Sequence, residues 1–205
     1  DSQSALNFER LYYVKSLIDE IGSFITDVYL TDVAAVAAFY PDWFTYGAGV
    51  KNYLSVPDFP EDPKGTVFGT PGGYIPGGDI SRFTEISSFQ DDLFEQSVKE
   101  SIKHSWYDGD WTRHPWEEET KPSFTEFDGK GKYSWVKSPS FKNEPAQVGP
   151  LANVLAMYAA GHPETKKYAD MALKKVNDIG KLNAGLGALH STLGRHAARA
   201  VRCAV

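Results

Sequence analysis

His104, Asp108, Asp110, His114 and Glu117 fall close together in one stretch of the chain. Imidazole nitrogens and carboxylate oxygens are the donors of divalent-metal sites, so the stretch could in principle hold one. Its spacing matches no zinc pattern, and Pro115 and Trp116 beside His114 read as loop-fixing residues. The favoured reading is that both imidazoles make structural hydrogen bonds. His190 and His196 lie on a helix expected over 182–205. Six positions at ~100° each turn their side chains away from one another, so they cannot share a metal. Ser191 adjoins His190 but also points elsewhere, and nothing nearby offers an oxyanion hole.

Arg195, Arg199 and Arg202 recur at i, i+4 and i+7 and form a basic stripe on that same helix. The stripe either faces solvent or pairs with carboxylates of a neighbour, since guanidinium forms bidentate carboxylate contacts well. Arg195, His196 and Arg199 are therefore the candidate contact residues toward a partner subunit or the surrounding scaffold. Cys203 is the single cysteine and is expected to pack as a small apolar residue. One thiol can build neither a disulfide nor a thiolate cage. Glu117, Glu118 and Glu119 form an acidic run expected to face water. The glycine-rich run 70–79, "TPGGYIPGGD", lacks the Gly-Lys-Ser/Thr ending of a phosphate loop and reads as turns. The tryptophans and tyrosines of "HSWY", "DWTRHPW" and "YSWVKSP" could stack on a sugar, but serve more simply as core and loop anchors. No catalytic, cofactor-binding or metal-ligating residue is assigned from these patterns.

The elements expected to carry these residues are mostly helical. Over 7–30, with Asn7 as N-cap, Val14, Leu17, Ile18, Ile21, Phe24, Ile25 and Val28 repeat at helical spacing. An alanine-rich helix over 32–40 stops at Pro41. Glycine and proline punctuate 41–86, where short strands are expected at 50–56, 67–69 and 73–75. A third helix is predicted over 88–106, with Phe89, Leu93, Phe94, Val98 and Ile102 on one face. A loop with a hairpin follows over 107–147, its strands at 124–127 and 133–136 and its turn at Asp128-Gly129. Three helices then fill 148–205, with Pro150 and Pro163 as openers and Gly161 and Gly180 as stops. The expected fold class is mainly α, a helical bundle scaffold with a small irregular β region inserted. The 205 residues are read as one segment of a single domain.

Hydrophobic residues make up 41% of the chain, enough for a packed core. A net charge of −6 excludes the basic face of a nucleic-acid binder. No uninterrupted apolar run approaches the roughly 20 residues that span a bilayer, so no direct membrane insertion is expected. Both ends read as cut, since neither shows the signals of a native terminus, and a longer parent chain is expected.

Several longer words resemble one family. "HSWY" at 104–107, "HPWEEETKP" at 114–122, "YSWVKSPSF" at 133–141, "VGPLANVLAMYAAGH" at 148–162 and "HSTLGRHAARA" at 190–200 are similar to the middle of nickel–iron hydrogenase large subunits. So, in the same order upstream, are "VYLTDVAAVAAFYPDWFTYGAGVKNYLSVPDFP" and "GTPGGYIPGGDI". The resemblance covers essentially the whole chain and is nearest the periplasm-facing, membrane-associated uptake type. It implies a large helical subunit paired with an iron–sulfur small subunit, and a nickel–iron centre with carbon monoxide and cyanide ligands in the full subunit. That family holds its metals with two Cys-x-x-Cys motifs, and neither is present here. The resemblance therefore implies a central scaffold portion, inactive alone, whose partners are the rest of the large subunit and the small subunit. The alternatives are a metal-free interaction module derived from the family and an aromatic-lined carbohydrate binder.

Overall fold

The computed structural model describes residues 7–117 and 119–205. The chain divides into two compact units, one made by residues up to Gly47 together with Glu164–Val205, the other by Ala48–Pro163.

The first unit is helical. Helix α1 (Phe8–Ser23) begins as expected at Asn7, whose side-chain oxygen accepts the Arg10 N–H at 2.9 Å. The chain does not break near residue 30. It passes through a π-helical segment, Phe24–Tyr29, directly into α2 (Leu30–Phe39). The two expected helices are thus one rod with a bulge that inserts extra backbone and rotates the following face. Pro41, which has no N–H to donate, ends the rod and opens the 3-10 turn Pro41–Thr45.

By length and composition this rod, Phe8–Phe39, is apolar enough to cross a membrane. That corrects the expectation that no such segment exists. Asp19, Asp27 and Asp32 had interrupted every continuous apolar run. The core helix of a water-soluble protein meets the same test.

Further along, α5 (Pro163–Gly180) buries Thr165, Ala169, Ala172 and Val176, a single stripe at helical spacing. The last expected helix, 182–205, is corrected to a 3-10 turn, Leu186–His190, followed by α6 (Thr192–Ala204). The division falls at Ser191, whose Oγ accepts the Gly194 N–H at 3.0 Å and so caps α6. Ala34, Ala37, Val176 and Leu193 form the core of this unit. The alanines let α2 and α6 approach closely, a packing role.

The second unit holds every strand found among the described residues. Strands β1 (Tyr53–Ser55), β4 (Gly72–Ile75) and β5 (Thr84–Ile86) make one antiparallel sheet in the order β1-β4-β5. Strands β2 (Asp58–Pro60) and β3 (Phe68–Thr70) pair separately. The helix expected over 88–106 is corrected: only α3 (Asp92–Ser97) is helical, and β6 (Val98–Ser101) follows at once. The apolar spacing fitted a helix. Antiparallel pairing of Val98 with Phe141 and of Ser101 with Ser138 decided otherwise. Strand β6 sits between β7 (Thr112–Arg113) and β8 (Ser138–Phe141), and β9 (Glu144–Pro145) completes that sheet.

The expected hairpin over 124–136 is also corrected. Its turn forms, with the Asp128 N–H donating to the Lys132 carbonyl at 2.9 Å, but no ladder follows. Residues 133–134 instead bond to 104–106, through Tyr133 N–H to His104 O and Trp106 N–H to Ser134 O. The hairpin in this region is β8–β9, turning at Lys142 and Asn143 with φ of 50° and 65°. Two successive positive φ values match the twist of antiparallel strands. Helix α4 (Pro150–Ala159) packs on β1 and β4 and buries Leu151, Val154, Leu155 and Met157. A mainly helical fold with a small β region is what the sequence led us to expect.

Candidate functional site

The candidate contact residues lie on α6, and the local fold fixes each differently. Gly194 permits the sharp entry into the helix. A Cβ there would meet the Ala188 carbonyl oxygen and Leu189 Cα, both at 2.3 Å. The Thr192 N–H donates to Tyr46 O at 2.8 Å, tying the start of α6 to the end of the 3-10 turn Pro41–Thr45. Arg195 Nε donates to Gly47 O at 2.8 Å. That bond stays within the first unit. His196 is exposed, and its Nδ1 shares a 3.2 Å hydrogen bond with the hydroxyl of Tyr29. Tyr29 is the last residue of the π segment, so the bulge sets where that hydroxyl arrives. Both residues line an open cleft of about 350 Å³ with Asp32, Val36, Trp43 and Leu193. Arg199 and Cys203 are exposed on α6. The lone thiol was expected to pack inside, and its exposure corrects that. His190 lies in the 3-10 turn, not on α6, and Ser191 serves as a cap.

In the second unit the stretch 104–117 separates its histidines. His104 Nδ1 bonds to Gly131 O at 2.8 Å, and its ring stacks on Tyr133 with centroids 5.4 Å apart. His114 is buried. Its Nδ1 accepts the Trp116 backbone N–H at 3.2 Å, and the His114 backbone N–H donates to the Glu117 carboxylate at 3.2 Å. Its ring meets Phe94 edge-on. His104 is thus occupied in holding its loop, while the buried Nε2 of His114 has no hydrogen-bond partner. No three His, Cys, Asp or Glu side chains converge on one point among the described residues. Glu118 of the acidic run lies outside those residues.

Lys132 organises this stretch, and no motif or spacing signals that role. Its ammonium donates to the carbonyls of Ser105 (2.9 Å), Gly109 (3.1 Å) and Tyr107. A cation held by three backbone carbonyls pins the loop beneath the aromatic side chains. Those rings then pack on each other: Trp106 lies 5.0 Å from Phe124 and 5.2 Å from Trp135. Trp106 Nε1 donates to Glu126 O, and the Tyr107 hydroxyl to Trp135 O. Rings committed to one another are anchors rather than a ready platform for a sugar.

The carboxylates with depressed proton affinity are structural as well. The Val67 N–H, with help from Thr66 and Lys64, lowers the Asp62 pKa, the Ser81 hydroxyl lowers that of Asp79, and the Ser87 N–H lowers that of Asp91. These three each close a turn or cap a helix, whereas Asp178, also lowered, is held by the Lys174 ammonium in an exposed ion pair.

Comparison with known proteins gives this geometry its context. The family model described as nickel-dependent hydrogenase matches residues 1–205. The Hydrogenase-2 large chain of Escherichia coli (strain K12) is 44% identical over 203 residues, covering 99% of this chain and 36% of that protein. The uptake hydrogenase large subunit of Bradyrhizobium diazoefficiens is 36% identical, covering 96% and 35% respectively. Among solved structures, the H2-activated [NiFeSe]-hydrogenase of Dm. baculatum superposes with a TM-score of 0.71 at 26% identity, covering 99% of this chain and 39% of that one. The chain belongs to the nickel-dependent hydrogenase family. It corresponds to a portion of the large subunit, spanning little more than a third of the length of these relatives.

A nickel–iron centre does not fit the donors present here. Soft metals at such a centre call for several thiolates, and this portion offers one, exposed on α6.

Proposed function

We propose that this chain is the central scaffold of the large subunit of an uptake-type nickel–iron hydrogenase, which oxidises or evolves H2 when complete. The observation that carries this reading is similarity to hydrogenase large chains along virtually the entire chain, combined with a donor set that cannot ligate the centre. Its residues hold helices and loops in place rather than handle substrate. The partners are the rest of the large subunit and an iron–sulfur small subunit. The complex is membrane-associated through its partner and faces the periplasm, as the likeness to uptake and Hydrogenase-2 chains supports.

Within that frame His196 and Arg199 face outward from α6 and are offered to carboxylates of a neighbouring subunit or segment. Arg195, bonded to Gly47, keeps the helix in place behind them.

The test is purification of the complete subunit with its co-expressed partner, followed by metal analysis and H2-dependent dye reduction. Stoichiometric nickel with dye reduction is expected. A nickel-free, inactive complex would establish the metal-free interaction module instead.

A further inference from the structure

The backbone of 105–109 gathers three carbonyls around one point. Those of Ser105, Tyr107 and Gly109 all accept from the Lys132 ammonium, the first at 2.9 Å and the last at 3.1 Å. The residues between them bond to neighbouring segments instead. The Trp106 N–H donates to Ser134 O and the Asp108 N–H to Lys121 O, while Trp106 O accepts the Ser123 N–H. Successive residues of an extended segment turn their backbone groups to opposite sides, so the odd-numbered carbonyls share one side. The chain then turns at Gly109, whose φ of 90° favours glycine.

Three carbonyl oxygens facing one point repel each other, and a positive charge at that point removes the repulsion. Lys132 forms no ion pair among the described residues. Its charge is met by neutral carbonyl dipoles, and its three donors find three acceptors. The segment that carries it is fixed on both sides by His104. The His104 Nδ1–H donates to Gly131 O at 2.8 Å, and the Tyr133 N–H donates to His104 O at 3.0 Å. The Ser105 and Gly109 oxygens lie farther from the cation than the roughly 2.0–2.6 Å of magnesium or calcium coordination, and no carboxylate takes part. The cage therefore suits an ammonium group and not a divalent metal.

We propose that the 105–109 backbone is a binding site for a primary ammonium ion, which the chain fills with its own Lys132. The stretch rich in histidine and carboxylate thus has a cation site after all, built from carbonyls and not from those side chains. Lys132 is a tethered ligand, and the tether gives it a high effective concentration at the cage. With the side chain removed, a small free ammonium ion takes its place. Tetramethylammonium carries the same charge but has no N–H, so it cannot.

The test uses the complete subunit with its partner and follows amide hydrogen exchange by mass spectrometry in peptides covering 104–109 and 121–134. Lys132→Ala is expected to speed exchange there at least about 10-fold and to leave the α4 peptides unchanged. Titration with methylammonium chloride is expected to return the rates to within about 3-fold of the unaltered protein, while tetramethylammonium chloride and sodium chloride leave them fast. Unchanged exchange in Lys132→Ala would overturn the proposal. So would equal rescue by all three salts, which would reduce the effect to ionic strength, or rescue by none. If Lys132→Ala does not assemble, Lys132→Gln takes its place. Its neutral amide is expected to leave exchange fast, and unaltered rates there would mean that no cation is required, which also overturns the proposal. The readout needs neither nickel nor turnover, so failure of the hydrogenase reading would leave this one standing.

Discussion

Helix α4 and helix α1 are both apolar, and they meet opposite fates. In α4, Leu151, Val154, Leu155 and Met157 each retain 4% or less of their exposure, because β1 and β4 lie against them in the same unit. In α1 no residue is buried. An apolar periodic pattern commits a helix to being covered, but it does not name the cover. For α4 the cover lies about 75 to 106 residues earlier in the chain, in β1 and β4. For α1 none is seen among the described residues.

The sharpest way to break that contrast is a pair of truncations. Leu155→Ala is expected to cost about 2–5 kcal/mol wherever it is measured, because it leaves a cavity in a closed core. Ile18→Ala is expected to stay within about 0.5 kcal/mol in the 205-residue chain, as exposed positions do, and to approach the α4 cost in the complete subunit. Urea unfolding followed by circular dichroism gives both. Equal costs in the short chain would mean that α1 is already packed there.

Gly194→Ala tests a packed site that tolerates no added atom. The atoms in the way are backbone, so a loss of about 3 kcal/mol is expected, read as a lower unfolding midpoint. Lys132→Met is expected to cost about 1–2 kcal/mol, since three carbonyls lose their donor and partly exposed groups recover some of it from water. Red-shifted tryptophan emission from the Trp106–Trp135 cluster should accompany it. Ser191→Ala removes the α6 cap and should cost about 1 kcal/mol, with Ser191→Asp largely restoring it.

The smallest effect concerns acid. Asp91 accepts the N–H groups of Ser87 (3.0 Å) and Leu93 (2.8 Å), and these hold its pKa below the ordinary carboxylate value. Folding therefore favours its ionised form. The contribution is complete above the unfolded pKa of about 3.9 and is lost as pH falls through the lower folded value. Asp91→Asn keeps the cap and removes the titration, so the acid limb of the stability curve should flatten slightly.

Much of the local structure was legible because local chemistry fixes it. Asn7 capped α1, Pro41 stopped α2, Pro150 and Pro163 opened helices, and the Asp128 turn formed where its residues demanded. The misreadings share one cause. Val98 and Ile102 fit a helical period, and the strand at 98–101 wins only because residues 138–141 arrive to pair with it. The hairpin near residue 130 failed because 133–134 found a partner at 104–106. At the candidate site, the spacing of the α6 arginines could be read, while the Arg195–Gly47 bond, the Tyr29–His196 bond and the Lys132 carbonyl cage could not. Each joins residues distant in sequence and leaves no periodic trace.

By itself the sequence determined the family, the predominance of helix, the caps and stops, and the shortage of thiolates. Each of these is a property of residue type or of neighbours within a turn or two. Tertiary structure alone decided which apolar faces close and which stay open, where a helical pattern becomes a strand, and which polar groups are spent on scaffold. Those outcomes depend on backbone and side-chain partners brought together from far along the chain, where the gain from pairing exceeds local preference.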